Sequence, residues 1–390
     1  MKKVLLAAAI MGMAAAAHAQ SSVTLYGVID AGITYTSNSN GHANFQETSG
    51  AVSATRWGIR GGEDLGNGLK AIFTLENGFN IGNGTYGQGG REFGRQAFVG
   101  IASEKYGTGT LGRQYDELYE FVTPLALTGQ QYGGTLAAHP FDNDNLHYSF
   151  RVNNALKYQS ADINGLKFGA EYGFSNDAGQ VANNRALSLG ASYHYGGLQA
   201  GAAYLKVTND LSAKTATAAL AALNAGGAVD GDSTLLAARQ QTWGLGANYD
   251  FGKAGVGLVF TQTNLTGGAG IAGGIAGQTL NLYGNSAHFQ NIEANGHYAL
   301  TPLLSLAGAY TYTQANFGEG SQPKWGQLTV QADYSLTKRT DVYVQGEYQH
   351  VMNGEGLHGE TIGAMLNNTS ESASSTGNQV AMTVGMRHHF

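Results

Sequence analysis

The chain has 390 residues, a formal net charge of −6 and no cysteine. Charged residues make up only 12% of it, against about 25% in an ordinary soluble domain, whereas hydrophobic residues reach 42%. These values exclude a disulfide framework and a thiolate metal site, and the lack of a basic run argues against a nucleic-acid partner.

The first predicted element is a cleaved export signal over residues 1–19. Lys2 and Lys3 precede an apolar, alanine-rich run that ends in an A-x-A cleavage site at Ala17–Ala19. The run is too short for a membrane-spanning helix. We therefore expect a mature chain that starts at Gln20 outside the cytosol, and loss of the two lysines changes its net charge from −6 to −8.

After this signal, apolar and polar residues alternate in sixteen segments. In the last segment Val380 and Met382 share one face, whereas Gln379 and Thr383 share the other. The pattern predicts an all-β fold: one transmembrane antiparallel barrel domain over residues 20–390, apolar toward lipid and polar toward a water-filled lumen. The segments lie near residues 23–35, 55–62, 69–79, 94–103, 109–115, 148–159, 165–175, 186–195, 198–208, 240–250, 254–264, 288–300, 303–314, 325–336, 340–351 and 379–390.

The connections between these segments alternate strictly between short and long. This is typical of an outer-membrane barrel with tight periplasmic turns and long external loops, and a soluble sandwich has no reason for it. The alanine-rich stretch 211–238 has room for a short helix. The long connections are residues 36–54, 80–93, 116–147, 176–185, 209–239, 265–287, 315–324 and 352–378.

The third long loop, residues 116–147, mixes acidic and aromatic side chains. Such a composition suits a loop that meets both water and the barrel wall. A sixteen-stranded barrel leaves a lumen that must be narrowed before it can sieve solutes, so we predict that this loop folds inward; a plain surface loop is the alternative. Its candidate pore acids are Asp116, Glu117 and Glu120.

Arginines of inward parity are candidates for the wall opposite that loop. Outward Trp57 places Arg56 inward, and outward Phe98 places Arg95 inward. Arginines that face acids across a narrow bore set up a transverse field, which orients dipolar solutes and tunes ion preference. Single solvated charges without a focused field are the alternative. The candidate set is Arg56, Arg60, Arg95, Arg113 and Arg151, with the inward acids Asp30 and Glu76.

Three segments resemble the general trimeric porins of Gram-negative outer membranes: LYGVIDAGI from Leu25, RWGIRGGEDLGNGLKAIFTLENGF from Arg56 and GRQAFVGIASEKYGTGTLGRQYD from Gly94. The export signal and the terminal Phe390 agree with this resemblance, which covers the mature chain. It implies a sixteen-stranded homotrimeric barrel in outer-membrane lipid and lipopolysaccharide. It also implies passive diffusion of ions and small hydrophilic solutes.

The same resemblance implies an eyelet between the inward third loop and wall arginines, and Arg56, Arg95 and Arg151 match the arginine positions. It further implies that Phe390 is needed for assembly. The acids that line the eyelet remain open, because the loop lacks the PEFGG-type core of some members. Ion selectivity remains open too: the arginines favour anions, whereas the overall charge of the mature chain favours cations.

Two other classes of outer-membrane barrel stay open as alternatives. An enzyme would carry a Ser/His/acid or Asp/His group near its rim, and none of the eleven histidines has a recognisable catalytic spacing. An adhesin or structural barrel would fill its lumen with side chains and lack the arginines. We therefore predict a diffusion channel that is not an enzyme and needs no cofactor or metal.

Overall fold

The computed structural model describes residues 22–179, 181, 183–222, 227–229, 235–272, 279–366 and 372–390. The predicted export signal, residues 1–19, lies outside the described residues.

Eighteen strands lie in this described part of the chain, and sixteen of them form one closed antiparallel barrel. Closure comes from β18, which pairs with β1 after the chain has gone once around the ring. The strands are β1 (Ser22–Ser39), β2 (His42–Ser49), β3 (Arg56–Gly66), β4 (Leu69–Gly78), β5 (Gln96–Ser103), β6 (Gly107–Gln114), β7 (Val152–Gln159), β8 (Leu166–Gly173), β9 (Arg185–Tyr195), β10 (Leu198–Thr208), β11 (Leu235–Asp250), β12 (Ala254–Ile271), β13 (Leu280–Asn281), β14 (Ala287–Ala299), β15 (Leu304–Asn316), β16 (Lys324–Ser335), β17 (Thr340–Met352) and β18 (Asn378–His389).

In the part of the chain that the structure describes, helical structure is confined to short pieces in the loops. Two α-helices are described, α1 (Glu117–Phe121) in the third long loop and α2 (Ala216–Ala222) in the alanine-rich stretch, where room for a helix is predicted. Single 3₁₀ turns occupy Gln88–Gly90, Thr123–Leu125, Leu127–Gly129, Pro140–Asp142 and Leu357–Gly359. Among the helices of the described residues, none has the length and apolar content needed to cross a membrane.

All sixteen predicted strands are confirmed, and the largest differences in their bounds lie at the outer ends of β11 and β12. The hairpin of β11 and β12 extends further than predicted, because Leu235 still pairs with Ile271. The strands β2 and β13 are not predicted. Each adds to the outer end of a wall strand, since β2 pairs with β1 and β13 pairs with β12. The alternation of apolar and polar residues fades there, so it could not reveal these extensions.

The predicted division of faces is also confirmed. Outward side chains such as Val23 and Val384 are 65% and 61% exposed, whereas the inward side chains of Thr261, Asn291 and Gln345 are fully buried. Hydrocarbon offers no hydrogen bonds to a backbone, so a sheet persists in it only as a closed ring without edges. The burial of inward polar groups shows that the lumen is partly filled.

The seam between the two ends of the ring depends on the last residue. Phe390 N donates to Gly27 O at 3.1 Å, and Gly27 N donates to Phe390 O at 3.2 Å. The Phe390 ring lies over Gly27, where any larger side chain would meet it. The terminal residue therefore extends the pairing of β18 with β1.

Removal of Phe390 should reduce the yield of closed barrel. Loss of both seam hydrogen bonds costs about 1–3 kcal/mol, before the lost ring contact is counted. The heat-modifiable, folded fraction in outer-membrane extracts measures this yield. Phe390→Tyr keeps both backbone bonds and the ring, and should assemble normally; equal yields of all three chains would contradict the role of the seam.

Candidate pore constriction

The third long loop folds into the barrel, as predicted, because its apolar residues pack against one side of the wall. Leu118 and Val122 are fully buried in a cluster with wall residues Leu205 and Val259. Inward glycines make room for the loop backbone: a side chain at Gly201 would collide with the carbonyl of Phe121. The other apolar members of the cluster are Leu125, Ala126, Leu146, Phe150, Val152, Ala155, Ala186, Ala203, Val207, Ala228 and Val229.

Hydrogen bonds fix the next part of the loop to a second stretch of the wall. Gln327 Nε2 in β16 donates to the carbonyls of Leu136 and Ala138 at 3.2 and 3.0 Å. Gly133 N donates to Gln331 Oε1 at 3.0 Å. The loop segment between Val122 and Ala138 therefore passes through the lumen along the inner wall from β12 to β16.

A buried charged group holds the far end of this segment. His139 Nδ1 lies 2.6 Å from Asp144 Oδ2, and His139 Nε2 lies 3.0 Å from Glu293 Oε2 in β14. Burial alone would lower the pKa of His139, but the charge and hydrogen bond of Asp144, with those of Glu293, raise it to about 10. Burial would raise the pKa of Asp144, and the charge of His139 holds it below its usual value. We call His139, Asp144 and Glu293 the loop latch.

A cavity of about 190 Å³ lies where the crossing segment meets the first wall strands. Arg56 and Arg95 line it from the wall, and Tyr119 and Glu120 line it from the loop. We call this cavity the slot. Its remaining lining residues are Val52, Ser53, Thr123, Pro124, Thr128, Gly129, Gln130 and Tyr148.

The two wall arginines of the slot share one carboxylate. Arg95 Nε lies 2.6 Å from Glu76 Oε1, and Arg56 Nε lies 3.9 Å from Glu76 Oε2. Tyr26 also donates its hydroxyl to Glu76 Oε2, at 2.9 Å. The side chain of Arg95 is 3% exposed and that of Arg56 is 29% exposed, so Arg56 is the cation that water in the slot reaches most easily.

Arg151 joins Arg95 through two aromatic rings rather than by lining the slot. Arg95 Cζ lies 5.9 and 5.3 Å from the ring centroids of Tyr115 and Tyr148, and Arg151 Cζ lies 5.1 and 5.4 Å from the same centroids. Cations over tyrosine faces at these distances are attracted by the ring quadrupole. The structure thus brings Arg56, Arg95 and Arg151 into one group.

Arg60 and Arg113 do not join that group. Arg60 is exposed and lies 5.1 Å from the Tyr26 centroid. Arg113 Nε donates to Gly94 O at 2.8 Å, and its guanidinium also bonds the side chain of Asn153. Neither residue lines the slot, and the bonds of Arg113 tie the start of the loop to neighbouring backbone.

Four of the five candidate acids have partners outside the group of Arg56, Arg95 and Arg151, and Asp30 is the first of them. Asp30 accepts hydrogen bonds from Val52 N at 3.0 Å, Ser53 N at 2.6 Å and the hydroxyl of Tyr343 at 2.6 Å. It therefore fixes the base of the first long loop, and the expectation that Asp30 pairs with the arginine group is wrong. The alternation in β1 correctly predicted that Asp30 faces inward, but it could not predict its hydrogen-bond partners.

Asp116 and Glu117 lie between the loop and the wall. Asp116 caps α1 by accepting from Leu118 N at 2.7 Å, and it binds Asn145 Nδ2 at 2.7 Å. Glu117 is fully buried against the wall beside Gly169. Burial raises the pKa of Asp116, and it raises the pKa of Glu117 to about 7. Neither residue lines the slot.

Of the predicted loop acids Asp116, Glu117 and Glu120, only Glu120 lines the slot. Its partner is Lys157, which is not among the predicted site residues. Lys157 Nζ lies 2.8 Å from Glu120 Oε1 and donates to Tyr115 O at 2.7 Å. The signal was present, since Leu156 and Tyr158 are outward and exposed, which makes Lys157 inward by parity. The charged residues that line the slot, Arg56, Arg95 and Glu120, together carry a formal charge of +1. Their ion-pair partners Glu76 and Lys157 cancel each other and leave this charge at +1.

Comparison with known proteins gives concordant results. A family model described as Gram-negative porin matches residues 6–354. An outer membrane porin protein of Bordetella pertussis is 32% identical, with all of this chain and all of that protein covered. The anion-selective porin from Comamonas acidovorans has a TM-score of 0.73 at 20% identity and covers 95% of this chain and 100% of its own. The trimer form of OmpT, an outer membrane protein of Vibrio cholerae, has a TM-score of 0.65 at 14% identity and covers 95% and 99%.

Proposed function

The chain belongs to the Gram-negative porins of the outer membrane, and from that premise we propose that it is a general diffusion channel with a preference for anions. Ions and small hydrophilic solutes would pass through the slot by passive diffusion. The crossing loop would set the size limit, and the wall arginines would set the ion preference.

The observation that carries the anion preference is the formal charge of +1 of the residues that line the slot and their ion-pair partners. The charge of Arg56 is reached by water, while Glu76 is shared between Arg56 and Arg95. Charged walls of one sign in a narrow, low-dielectric bore raise the local concentration of the opposite ion. The outer loops carry much of the net negative charge of the chain, and charges more than about 8–10 Å away are screened at physiological salt.

The acids of the crossing loop do not supply an opposing field. Lys157 neutralises Glu120 at 2.8 Å. Asp116 and Glu117 are buried away from the slot with raised pKa values. The similar porin from Comamonas acidovorans is anion-selective, which supports the same preference.

Reversal potentials in a potassium chloride gradient test this proposal. The native channel should favour chloride. Arg56→Gln alone should lower that preference, and joint replacement of Arg56, Arg95 and Arg151 by glutamine should move the preference to cations, since Glu76 would lose its partners. We expect a change of about tenfold or more in the permeability ratio for the triple variant, because three full charges are removed from one narrow region.

Arg339→Gln is the matched control for charge, because Arg339 is exposed in a short turn between strands. It should leave the reversal potential unchanged. A triple variant with the native reversal potential would remove the arginines from the selectivity mechanism. A native channel that favours potassium would overturn the proposed anion preference.

We also propose the organisation of the mature protein. Residues 1–19 would be a cleaved export signal, and residues 20–390 would form one barrel domain in outer-membrane lipid and lipopolysaccharide. The mass of the protein extracted from outer membranes should therefore correspond to a chain that starts at Gln20. A mass that includes Lys2 and Lys3 would contradict cleavage.

A homotrimer is the oligomeric state we propose, supported by the solved trimer form of the Vibrio cholerae protein. Single-channel recording separates this proposal from an enzyme or an adhesin. A trimeric channel opens in large, steady steps that occur in groups of three. Absence of steady openings in planar bilayers would favour the other two classes.

A further inference from the structure

Tyr148, which lines the slot, has a backbone conformation that aromatic residues rarely adopt. Its φ is +54°, in the left-handed region, where the backbone of a non-glycine residue is strained. Asp142 holds the turn in place: it accepts from His147 N at 2.8 Å and from both N and Oγ of Ser149 at 2.9 and 2.5 Å. The strained turn places the Tyr148 ring at the slot.

Tyr119 is the second aromatic residue of the slot, and one of its faces is available. Tyr115 covers the other face, with ring centroids 3.9 Å apart and an interplanar angle of 21°. Tyr148 meets Tyr119 edge-on at 5.3 Å and 88°. Tyr115 does not line the slot, whereas Tyr119 does, so the face of Tyr119 away from Tyr115 is the one that borders the slot.

Arg56 supplies donors for an anionic group in the same space. Its Nη1 donates to Ala54 O at 2.9 Å, and its Nη2 has no protein acceptor among the described residues. A planar guanidinium is suited to bind a carboxylate through two parallel hydrogen bonds. Glu120 on the loop side repels such a group toward Arg56, although Lys157 offsets much of its charge.

The size and the lining of the slot fit a benzene ring. Its volume is about 190 Å³, and an apolar protein cavity of about 150 Å³ holds benzene. Val52 and Pro124 give the lining an apolar part beside the tyrosines. Chloride and other small ions use none of these aromatic and apolar surfaces.

We propose that the slot contains a binding site for small planar aromatic carboxylates, in which Tyr119 stacks on the ring and Arg56 binds the carboxylate. The inference rests on the proposed function, because it places the ligand in the permeation path. Such solutes occupy the channel for longer than saturated carboxylates of the same charge and similar size. The site would thus add solute discrimination to charge selectivity.

Block of the chloride current by added benzoate, compared with cyclohexanecarboxylate, tests this site in the full-length channel. Both are monoanions with a six-membered ring, and only benzoate is planar and aromatic. The half-blocking concentration of benzoate should be about threefold to tenfold lower, as expected for one aromatic stacking contact. Equal half-blocking concentrations in the native channel would overturn the proposal.

Variants of the ring assign the effect to the site. Tyr119→Leu should abolish the difference between the two anions, and Tyr119→Phe, which keeps the ring, should retain it. Arg56→Gln should weaken block by both anions alike. Tyr106→Leu is the control, since Tyr106 is exposed in a turn outside the slot, and it should leave the difference intact.

Failure of this site and failure of the proposed function give different results. If Tyr119→Leu keeps the difference between benzoate and cyclohexanecarboxylate, the stacking site is wrong while chloride selectivity stands. If the leucine variant does not assemble, loss of this difference in Tyr119→Phe leads to the same conclusion. If the native channel favours potassium in the salt gradient, the proposed anion preference is wrong, whatever benzoate does.

Discussion

A channel in which residues 124–137 are replaced by two glycines should conduct at least about twofold more current per opening than the native channel. Conductance through a water-filled pore follows its narrowest cross-section, and this segment occupies part of the lumen. It also supplies Pro124, Thr128 and Gln130 to the slot. Single-channel recording in symmetrical salt measures the change directly.

The replacement leaves the other attachments of the loop in place. Leu118 and Val122 stay packed on the wall, and the loop latch lies beyond the cut. The control is replacement of Ile81–Gly84 by two glycines, which shortens an exposed turn of the second long loop and should leave conductance unchanged. If the shortened third loop gives the native conductance, the segment does not limit the flow of ions.

The sequence predicted the barrel well because alternation is a local property of each strand. The alternation of apolar and polar residues within each wall strand shows which of its residues meet lipid, so the sixteen segments could be recognised independently. The inward parity of Arg56, Arg95 and Glu76 followed from their neighbours in the same way, and these three residues do meet at 2.6 and 3.9 Å.

Partners across the lumen could not be predicted in this manner. Asp30 and Asp116 have the expected position along the chain, but their hydrogen bonds go to Val52, Ser53 and Asn145. Those partners depend on how the long loops dock, and loop docking leaves no period in the sequence. The position of a residue in the alternation of its strand predicts whether its charge faces the lumen. It does not predict the group with which that charge pairs.

One signal of loop docking was present in the sequence nevertheless. Gly169 in β8 pairs with Gly190 in β9, and both are inward. A side chain at Gly169 would meet Glu117, and one at Gly190 would meet Phe121. Neighbouring inward glycines therefore mark the part of the wall that receives the crossing loop, because only a wall without side chains lets α1 approach so closely.

The loop latch joins the third long loop to β14 through a buried cation between two carboxylates. His139→Gln should make opening of the loop easier by about 3–5 kcal/mol, because it leaves Asp144 and Glu293 buried without their cation. All three side chains are fully buried, so solvent screening does not reduce the effect. Hydrogen exchange of the loop amides at residues 123–147 measures the opening free energy, and frequent current fluctuations should accompany it.

His194→Gln is the matched control for this change. His194 Nδ1 lies 3.7 Å from Asp162 Oδ2, but the side chains are 60% and 40% exposed. An exposed pair contributes about 0–1 kcal/mol, so this variant should exchange like the native protein. Equal exchange in the two variants would show that the buried group does not hold the loop.

The latch also makes the free energy of loop opening depend on pH. The pKa of His139 is about 10 in the folded loop, against an ordinary value of 6.5, so its stabilisation is complete below pH 6.5 and is lost as the pH rises through 10. Asp144 acts in the opposite direction: its pKa is held below the usual value, so its contribution is lost as the pH falls through that lowered value. The opening free energy obtained from loop exchange should therefore fall, and current fluctuations should increase, progressively between about pH 6.5 and 10 in the native channel, and His139→Gln should remove this pH dependence. A native channel whose loop opens equally at pH 7 and pH 11 would show that His139 is not the charged centre of the latch.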